Sequence, residues 1–368
     1  MPYSMAISTR RIFPAMSALA GVAAAVLILS IYYVLGSWLY FHNHQRQGSY
    51  SGDFFIQDDR ELGYSTRPGI TLQHTASPFF EIYTDDIGAR AAGKDVSAAP
   101  QTDVLGSGDS YMWGYGVQDQ DTFLKILGRG KKLGVLNLAV PDYGIPSMLL
   151  RLKRFLYLKP KVIVFSLIEN DIDRSLQPCA PTWSPYCLSV PFVDFDESQN
   201  AFIRPPAETR PEHYIYMREV LMNHSFGPRD IAWAVKRDFL RLTKKDQDST
   251  NAFFKYRQNG PLKEKALDFL FQKIAGLCRE ASAKLIIVYI PVSNDIQPPS
   301  EELASAIRKY TDSRNVFYAD MTGKFQDYAK LHGEKTLMAG GVDVHPGEAA
   351  HRLIANEISA LIDTLHKK

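Results

Sequence analysis

An excess of charge of either sign is missing from this 368-residue chain: 42 Lys and Arg stand against 40 Asp and Glu, a formal net charge of +2, with no block of like charges. That balance excludes the electrostatic footprint of nucleic-acid binding and the polybasic patch of a protein drawn to an anionic membrane surface. Cysteine is nearly absent, with three residues, and none has a neighbouring cysteine or histidine to complete a tetrahedral metal set. The histidines show no ligand spacing either, and the chemistry read below requires no metal and no cofactor. At 45% hydrophobic and 22% charged residues the chain is globular in composition, long enough for one large α/β domain with appendages.

A further absence is local. From Ile12 to Phe41 there is no Asp, Glu, Lys or Arg. Crossing a bilayer takes about 20 apolar residues, so the stretch reads as one transmembrane helix over 14–41, with 1–13 on the cytoplasmic side. The rival is a cleaved signal peptide, whose apolar region would be only ~7–15 residues. Arg10 and Arg11 precede the run and only Arg46 follows closely, which places the N-terminus in the cytoplasm. The expected location is the inner membrane, single-pass, with the body on the periplasmic side. Cys179 and Cys187, in the Pro-rich loop CAPTWSPYC, are spaced to close a small disulfide ring, which persists in an oxidising compartment. Cys278 falls on the apolar face Leu267, Leu270, Phe271, Ile274, Leu277 of a helix and reads as a core thiol.

Past the anchor, 42–95 reads as a polar tether leading into a small β element with short alternating runs such as Phe80-Glu81-Ile82-Tyr83. From 96 to 368 strand and helix patterns alternate. Strands are expected at Val104–Gly106, Gly134–Val140, Val162–Leu167, Leu285–Ile290 and Val316–Ala319. Helices are expected at about Thr122–Leu127, Ser147–Leu158, along the Leu267 face, Glu301–Tyr310, and from Gly347 onward. Such alternation means a doubly wound, flavodoxin-like parallel sheet of about five strands with helices on both faces. Between about 172 and 260 it lapses into an insertion with the Cys pair, many prolines, and polar helices at Tyr214–Met222 and Ile231–Leu242.

Ligands in such sheets bind beyond the carboxyl ends of the strands, and the chemistry-bearing residues fall there. The stretch TDVLGSGDSYMWGYG puts Ser110 at a strand-to-helix turn, where a hydroxyl is lifted clear of the sheet and the helix N-terminus favours developing negative charge. The plainer alternative is a glycine-rich turn with an N-capping serine. Later strand ends carry Pro141-Asp142-Tyr143-Gly144 and Glu169-Asn170-Asp171, and Asp343-Val344-His345-Pro346 precedes the last helix. A nucleophile, a base, a group to orient the base and oxyanion donors are all available, which is what acyl transfer needs.

These blocks, GDSYMWGYGV, LNLAVPDYG, ENDI and DVHPGEAAHRLIA, resemble the SGNH (GDSL-type) hydrolase superfamily from about Thr102 to Leu365. The resemblance implies Ser110 as nucleophile, His345 as general base and then acid, Asp343 orienting His345, and an oxyanion hole from the Asn170 amide and the backbone N–H groups of Ser110 and Asp142. Two departures stand out. Asp142 occupies the family's second-block glycine, and Ile168 the glycine before Asn170-Asp171. Asp343 precedes His345 by two residues rather than the more common three, as in the branch with cell-envelope polysaccharide acetylation proteins. The implied activity is a serine esterase acting on O-acyl, above all O-acetyl, esters of an extracytoplasmic carbohydrate. Two alternatives stay open: a glycan O-acyltransferase of the same fold fed by a membrane acyl-donor partner, and a non-catalytic glycan-binding or scaffolding protein. The Asp142 departure favours the last of these.

Overall fold

The computed structural model describes residues 20–35, 50–75, 77–91, 102–180, 188–207, 260–311 and 315–365. The chain divides into two compact units, Met1–Gln47 with His224–Gln247, and Gly48–Asn223 with Asp248–Lys368. In the first, residues 20–35 form helix α1, whose side chains, Val22, Leu27, Ile28, Ile31 and Leu35 among them, are exposed. Among the described residues no helix is long and apolar enough to cross a membrane. The expected span 14–41 runs past α1 at both ends, into residues outside the described set, as do the helices expected at Tyr214–Met222 and Ile231–Leu242.

The second unit opens with short strands: β1 (Tyr50–Gly52), β2 (Ile56–Asp59), β3 (Gly63–Thr66), β4 (Thr71–His74), β5 (Phe80–Thr84) and β6 (Arg90–Ala91). The α/β part follows with β7 (Val104–Ser107), α2 (Ser110–Trp113), α3 (Phe123–Lys131), β8 (Val135–Asn137), α4 (Ile145–Phe155), β9 (Val162–Leu167) and α5 (Asn170–Ser175). Two hairpins stand in the insertion, β10 (Cys179–Ala180) with β11 (Leu188–Ser189) and β12 (Phe192–Phe195) with β13 (Ala201–Arg204). Then come α6 (Gly260–Glu280), β14 (Lys284–Tyr289), α7 (Glu301–Thr311), β15 (Val316–Asp320), α8 (Thr322–His332), β16 (Met338–Ala339), β17 (Asp343–Pro346) and α9 (Glu348–Leu365). Cys179 is disulfide-bonded and Cys278 is free and buried; Cys187 lies outside the described residues.

The main sheet has nine strands in the order β1-β4-β5-β6-β8-β7-β9-β14-β15, which corrects the expected five. Strands β8 through β15 are parallel, in the order of a doubly wound fold, and β1, β4, β5 and β6 extend the sheet antiparallel. The physical reason is Arg90, which pairs with Asn137 of β8 and joins the two parts. A small β element standing alone would have left the β8 edge unpaired, and unpaired edges are costly. Strand β9 is buried along its whole length, as a strand covered on both faces should be. Helices α4, α6 and α7 pack together as one layer, and α3, α9 and α8 as the other.

In this strand order the crossovers diverge between β7 and β9, the switch point where a doubly wound sheet opens a crevice. Ser110 follows β7 and Asn170 follows β9.

Candidate active site

Strand β7 ends at Ser107, and the chain turns through Gly108 into α2 with Asp109 as its N-cap. The glycines are demanded by packing: a Cβ on Gly108 would lie 2.2 Å from Ser166 Oγ, and one on Gly106 would lie 2.2 Å from Leu124 Cδ1. The Asp109 carboxylate accepts the Tyr111 N–H at 2.9 Å, satisfying a donor of the first turn. This leaves the Ser110 side chain at the head of the helix, 7% exposed in a buried surround. The far end is held as firmly. Arg90 donates to the carbonyls of Trp113 (2.7 Å), Gly114 (2.6 Å) and Val117 (2.5 Å), and Asn137 donates to that of Met112 (2.9 Å). A four-residue helix has little stability of its own, so these contacts set its position.

His345 arrives on β17, which pairs with β16. Its Nε2 lies 2.9 Å from Ser110 Oγ and its Nδ1 lies 2.6 Å from Asp343 Oδ1. Asp343 Oδ1 also accepts the His345 backbone N–H at 3.1 Å, so the two-residue spacing suffices to bind the carboxylate to both groups. With Nδ1 donating to a buried carboxylate, Nε2 is left as the acceptor for the Ser110 O–H. The imidazole sits between aromatic rings, Tyr115 at 4.5 Å and Tyr111 at 5.1 Å between centroids. Burial, and then the charge of Asp109, pushes the Tyr111 phenol above its ordinary range, so it remains a donor, to the Val344 carbonyl at 3.3 Å. Ser293 N–H reaches the same carbonyl at 3.3 Å.

The segment after β8 runs on beside β7: Leu138 N–H bonds to Gly106 O at 2.9 Å and Val140 N–H to Gly108 O at 3.2 Å. A turn closes with Tyr143 N–H on Val140 O at 3.3 Å, Pro141 and Asp142 in the middle. Asp142 has φ 69°. Proline cannot take positive φ, so with positive φ at the third position the turn is type II, which favours glycine there. The backbone thus keeps the shape that a glycine would give it. The side chain turns onto Arg174, with Nε 3.2 Å from Asp142 Oδ1. Gly144 allows this: a Cβ there would lie 2.9 Å from the Arg174 carbonyl carbon and from the Ser175 nitrogen, and Ser175 Oγ accepts the Ile145 N–H at 3.0 Å.

Of the residues expected from sequence, Ser110, His345 and Asp343 meet directly, and Asp142 lies on the strand extension that bonds to Gly108. Asn170 begins α5 and is exposed. Arg174 and Arg90 were not foreseen. The only trace of Arg174 is its place one turn after Asn170 and Asp171, and Arg90 lies in a stretch with no motif. Among the described residues no group of three or more His, Cys, Asp or Glu is placed to hold a metal ion.

No protein-family model matches the chain, and no curated protein does. Solved structures similar in outline include these three. One is a lipolytic protein of the G-D-S-L family from Desulfitobacterium hafniense DCB-2, 12% identical over 71% of this chain and 99% of that one, TM-score 0.34. Another is a family two carbohydrate esterase from Clostridium thermocellum, 12% identical over 74% and 67%, TM-score 0.37. The third is an acetyl xylan esterase from the rumen bacterium Butyrivibrio proteoclasticus, 10% identical over 82% and 72%, TM-score 0.36. At these identities and scores the likeness carries no weight for the chemistry of this chain, which rests on its own residues.

Proposed function

We propose that the protein is a serine esterase of the SGNH type that cleaves O-acyl esters of a carbohydrate through an acyl-enzyme on Ser110. The observation that carries this reading is the continuous hydrogen-bonded run from Asp343 through His345 to Ser110, at the head of a helix and at the switch point of the sheet. Ser110 Oγ attacks the ester carbonyl as its proton passes to His345 Nε2. The alcohol then leaves with that proton, and water delivered through the same nitrogen releases the acid. The N–H groups of Ser110 and Asp142 and the Asn170 amide are assigned to the oxyanion.

The O-acetyl group, the carbohydrate and the periplasmic side of the inner membrane belong to the same proposal. They are supported by the resemblance of the sequence blocks and by the uncharged run from Ile12 to Phe41. The test is the full chain in detergent on p-nitrophenyl acetate, alone and with acetylated oligosaccharides, following free acetate. Turnover lost in Ser110→Ala, with a fluorophosphonate labelling wild type at Ser110, supports the reading. Turnover retained in Ser110→Ala removes it.

A further inference from the structure

Three segments converge on one guanidinium that the acyl chemistry leaves unused. Arg174 Nη1 lies 2.9 Å from Asp109 Oδ2 and 3.0 Å from Asp171 Oδ1, and Nε lies 3.2 Å from Asp142 Oδ1. Each carboxylate belongs to a different turn: Asp109 caps the helix of Ser110, Asp142 holds the type II turn after β8, and Asp171 accepts the Ile168 N–H at 2.9 Å, at the end of β9. The whole cluster is enclosed, with the Arg174 side chain 14% exposed and the carboxylates 3% or less.

Enclosure makes the charges matter. Desolvation acts to lower the Arg174 pKa, but the charges of Asp142, Asp171 and Asp109 together outweigh it, and the guanidinium is held charged above its ordinary range. The Asp171 carboxyl is pushed well above the usual carboxylate range, by burial first and then by Asp109, in spite of Arg174. Two of the three carboxylates, Asp109 and Asp142, have Arg174 as their cation at 2.9 and 3.2 Å. Both sit at the two turns whose N–H groups are assigned to the oxyanion, where an uncompensated negative charge would oppose a developing one. Asp142 also holds a left-handed conformation, strained for a non-glycine residue, which persists only where its surroundings insist on it.

We propose that Arg174 is a positioning residue: it neutralises Asp109 and Asp142 and holds both turns so that their N–H groups stay aimed at one point. It is what allows aspartate at a position where the resemblance expects glycine. The inference rests on the acyl-transfer reading above.

The test compares full-chain variants on p-nitrophenyl acetate. Since oxyanion charge exists only in the transition state, Arg174→Met should lower kcat by about 10²-fold with KM within about threefold. Adding Asp142→Asn to Arg174→Met should recover at least about tenfold, by deleting a charge that Arg174 no longer neutralises. A merely structural role would lower Tm and give no such recovery. Arg174→Met at wild-type kcat, or a double variant no faster than the single, overturns the proposal. Should Arg174→Met not fold, Arg174→Lys serves in its place: the charge stays and the planar fork is lost. A kcat loss of about tenfold at constant KM supports the role, and an unchanged kcat with raised KM overturns it. Wild type inert toward both the ester and a fluorophosphonate overturns the acyl-transfer reading, and the Arg174 role with it. An active wild type with an equally active Arg174→Met overturns the Arg174 role alone.

Discussion

The parallel half of the sheet, β8-β7-β9-β14-β15, delivers the candidate site from its strand ends: Ser110 after β7, Asp142 beyond β8 and Asn170 after β9. The antiparallel half, β1-β4-β5-β6, contributes side chains carried on the strands themselves. Arg90 of β6 reaches under α2 to its last carbonyls. His74 of β4 stacks on Phe80 of β5 and meets Tyr115 edge-on, and Tyr115 in turn lies against His345. Tyr64, on the neighbouring β3, donates to the Pro141 carbonyl at 2.9 Å, bracing the turn of Asp142. The antiparallel half thus supplies support and none of the reacting groups named above, and the two kinds leave different marks in a sequence. Reacting groups sit in recognisable turns, because a strand end followed by a helix N-terminus needs glycine and a capping residue there. Supporting groups can come from any strand that happens to pass.

This division can be broken at several points. The largest effect is expected at the reacting end. Ser110→Ala should lower ester turnover by ~10⁴-fold or more, while Tm by calorimetry stays near wild type because the side chain makes its bond to His345 and not to the core. A large Tm loss would show that Ser110 holds the turn as part of the fold. On the supporting side, Arg90→Leu strips donors from buried carbonyls and leaves Asp119 without its buried cation, 3.8 Å away. That should cost roughly 3–5 kcal/mol in denaturant unfolding and also lower kcat, since α2 would shift. Lost stability at full activity would detach the antiparallel half from the site. Tyr64→Phe, which removes the bond to Pro141, should cost about 1 kcal/mol and lower kcat modestly without a change in KM.

Smaller effects sharpen the comparison. Asp142→Gly exchanges relief of a left-handed aspartate for loss of its Arg174 contact. It should leave kcat within about tenfold of wild type, a barrier change of ~1.4 kcal/mol or less. A gain of several hundredfold would mean that the native carboxylate suppresses catalysis, in favour of a non-catalytic role. The last test uses His351 on α9, buried, with Nδ1 accepting the Phe123 N–H at 3.2 Å. Burial, and then the charge of Arg90, pushes its pKa from 6.5 down to about 3. The unfolded chain binds this proton first as pH falls, so the stability it contributes is complete above about 6.5 and is lost progressively toward about 3. Tm of His351→Gln should therefore fall less steeply than wild type across that interval, and an equal slope in both proteins would place the acid sensitivity elsewhere.

Much of the α/β half was legible because its signals are local. The apolar run Val162–Leu167 is a buried strand over the same residues as expected, and Glu301–Thr311 and Val316–Asp320 differ from expectation by about a residue at one end. Helix α8 (Thr322–His332) went unread because its buried face is thin, with Thr322 and Phe325 its only fully buried members. The antiparallel strands were read as strands but not as part of the main sheet. Alternation such as Phe80-Glu81-Ile82-Tyr83 reports a face to bury, not the neighbour that buries it.

By itself, the sequence determined the turn chemistry: a glycine-rich exit from β7, aspartate as the cap before Ser110, and an Asp-x-His spacing short enough for one carboxylate to hold both the imidazole and its backbone N–H. These are properties of a few consecutive residues and need no distant partner. Only the tertiary structure decided that Ser110 and His345, 235 positions apart, stand 2.9 Å from each other. It also decided that Asp142 would keep a glycine's backbone, with its charge spent on Arg174, and that Arg90 would lock the helix of Ser110 from a strand outside every motif. Those outcomes depend on which strand ends the doubly wound order brings together, and long-range pairing of that kind leaves no period or spacing in the chain.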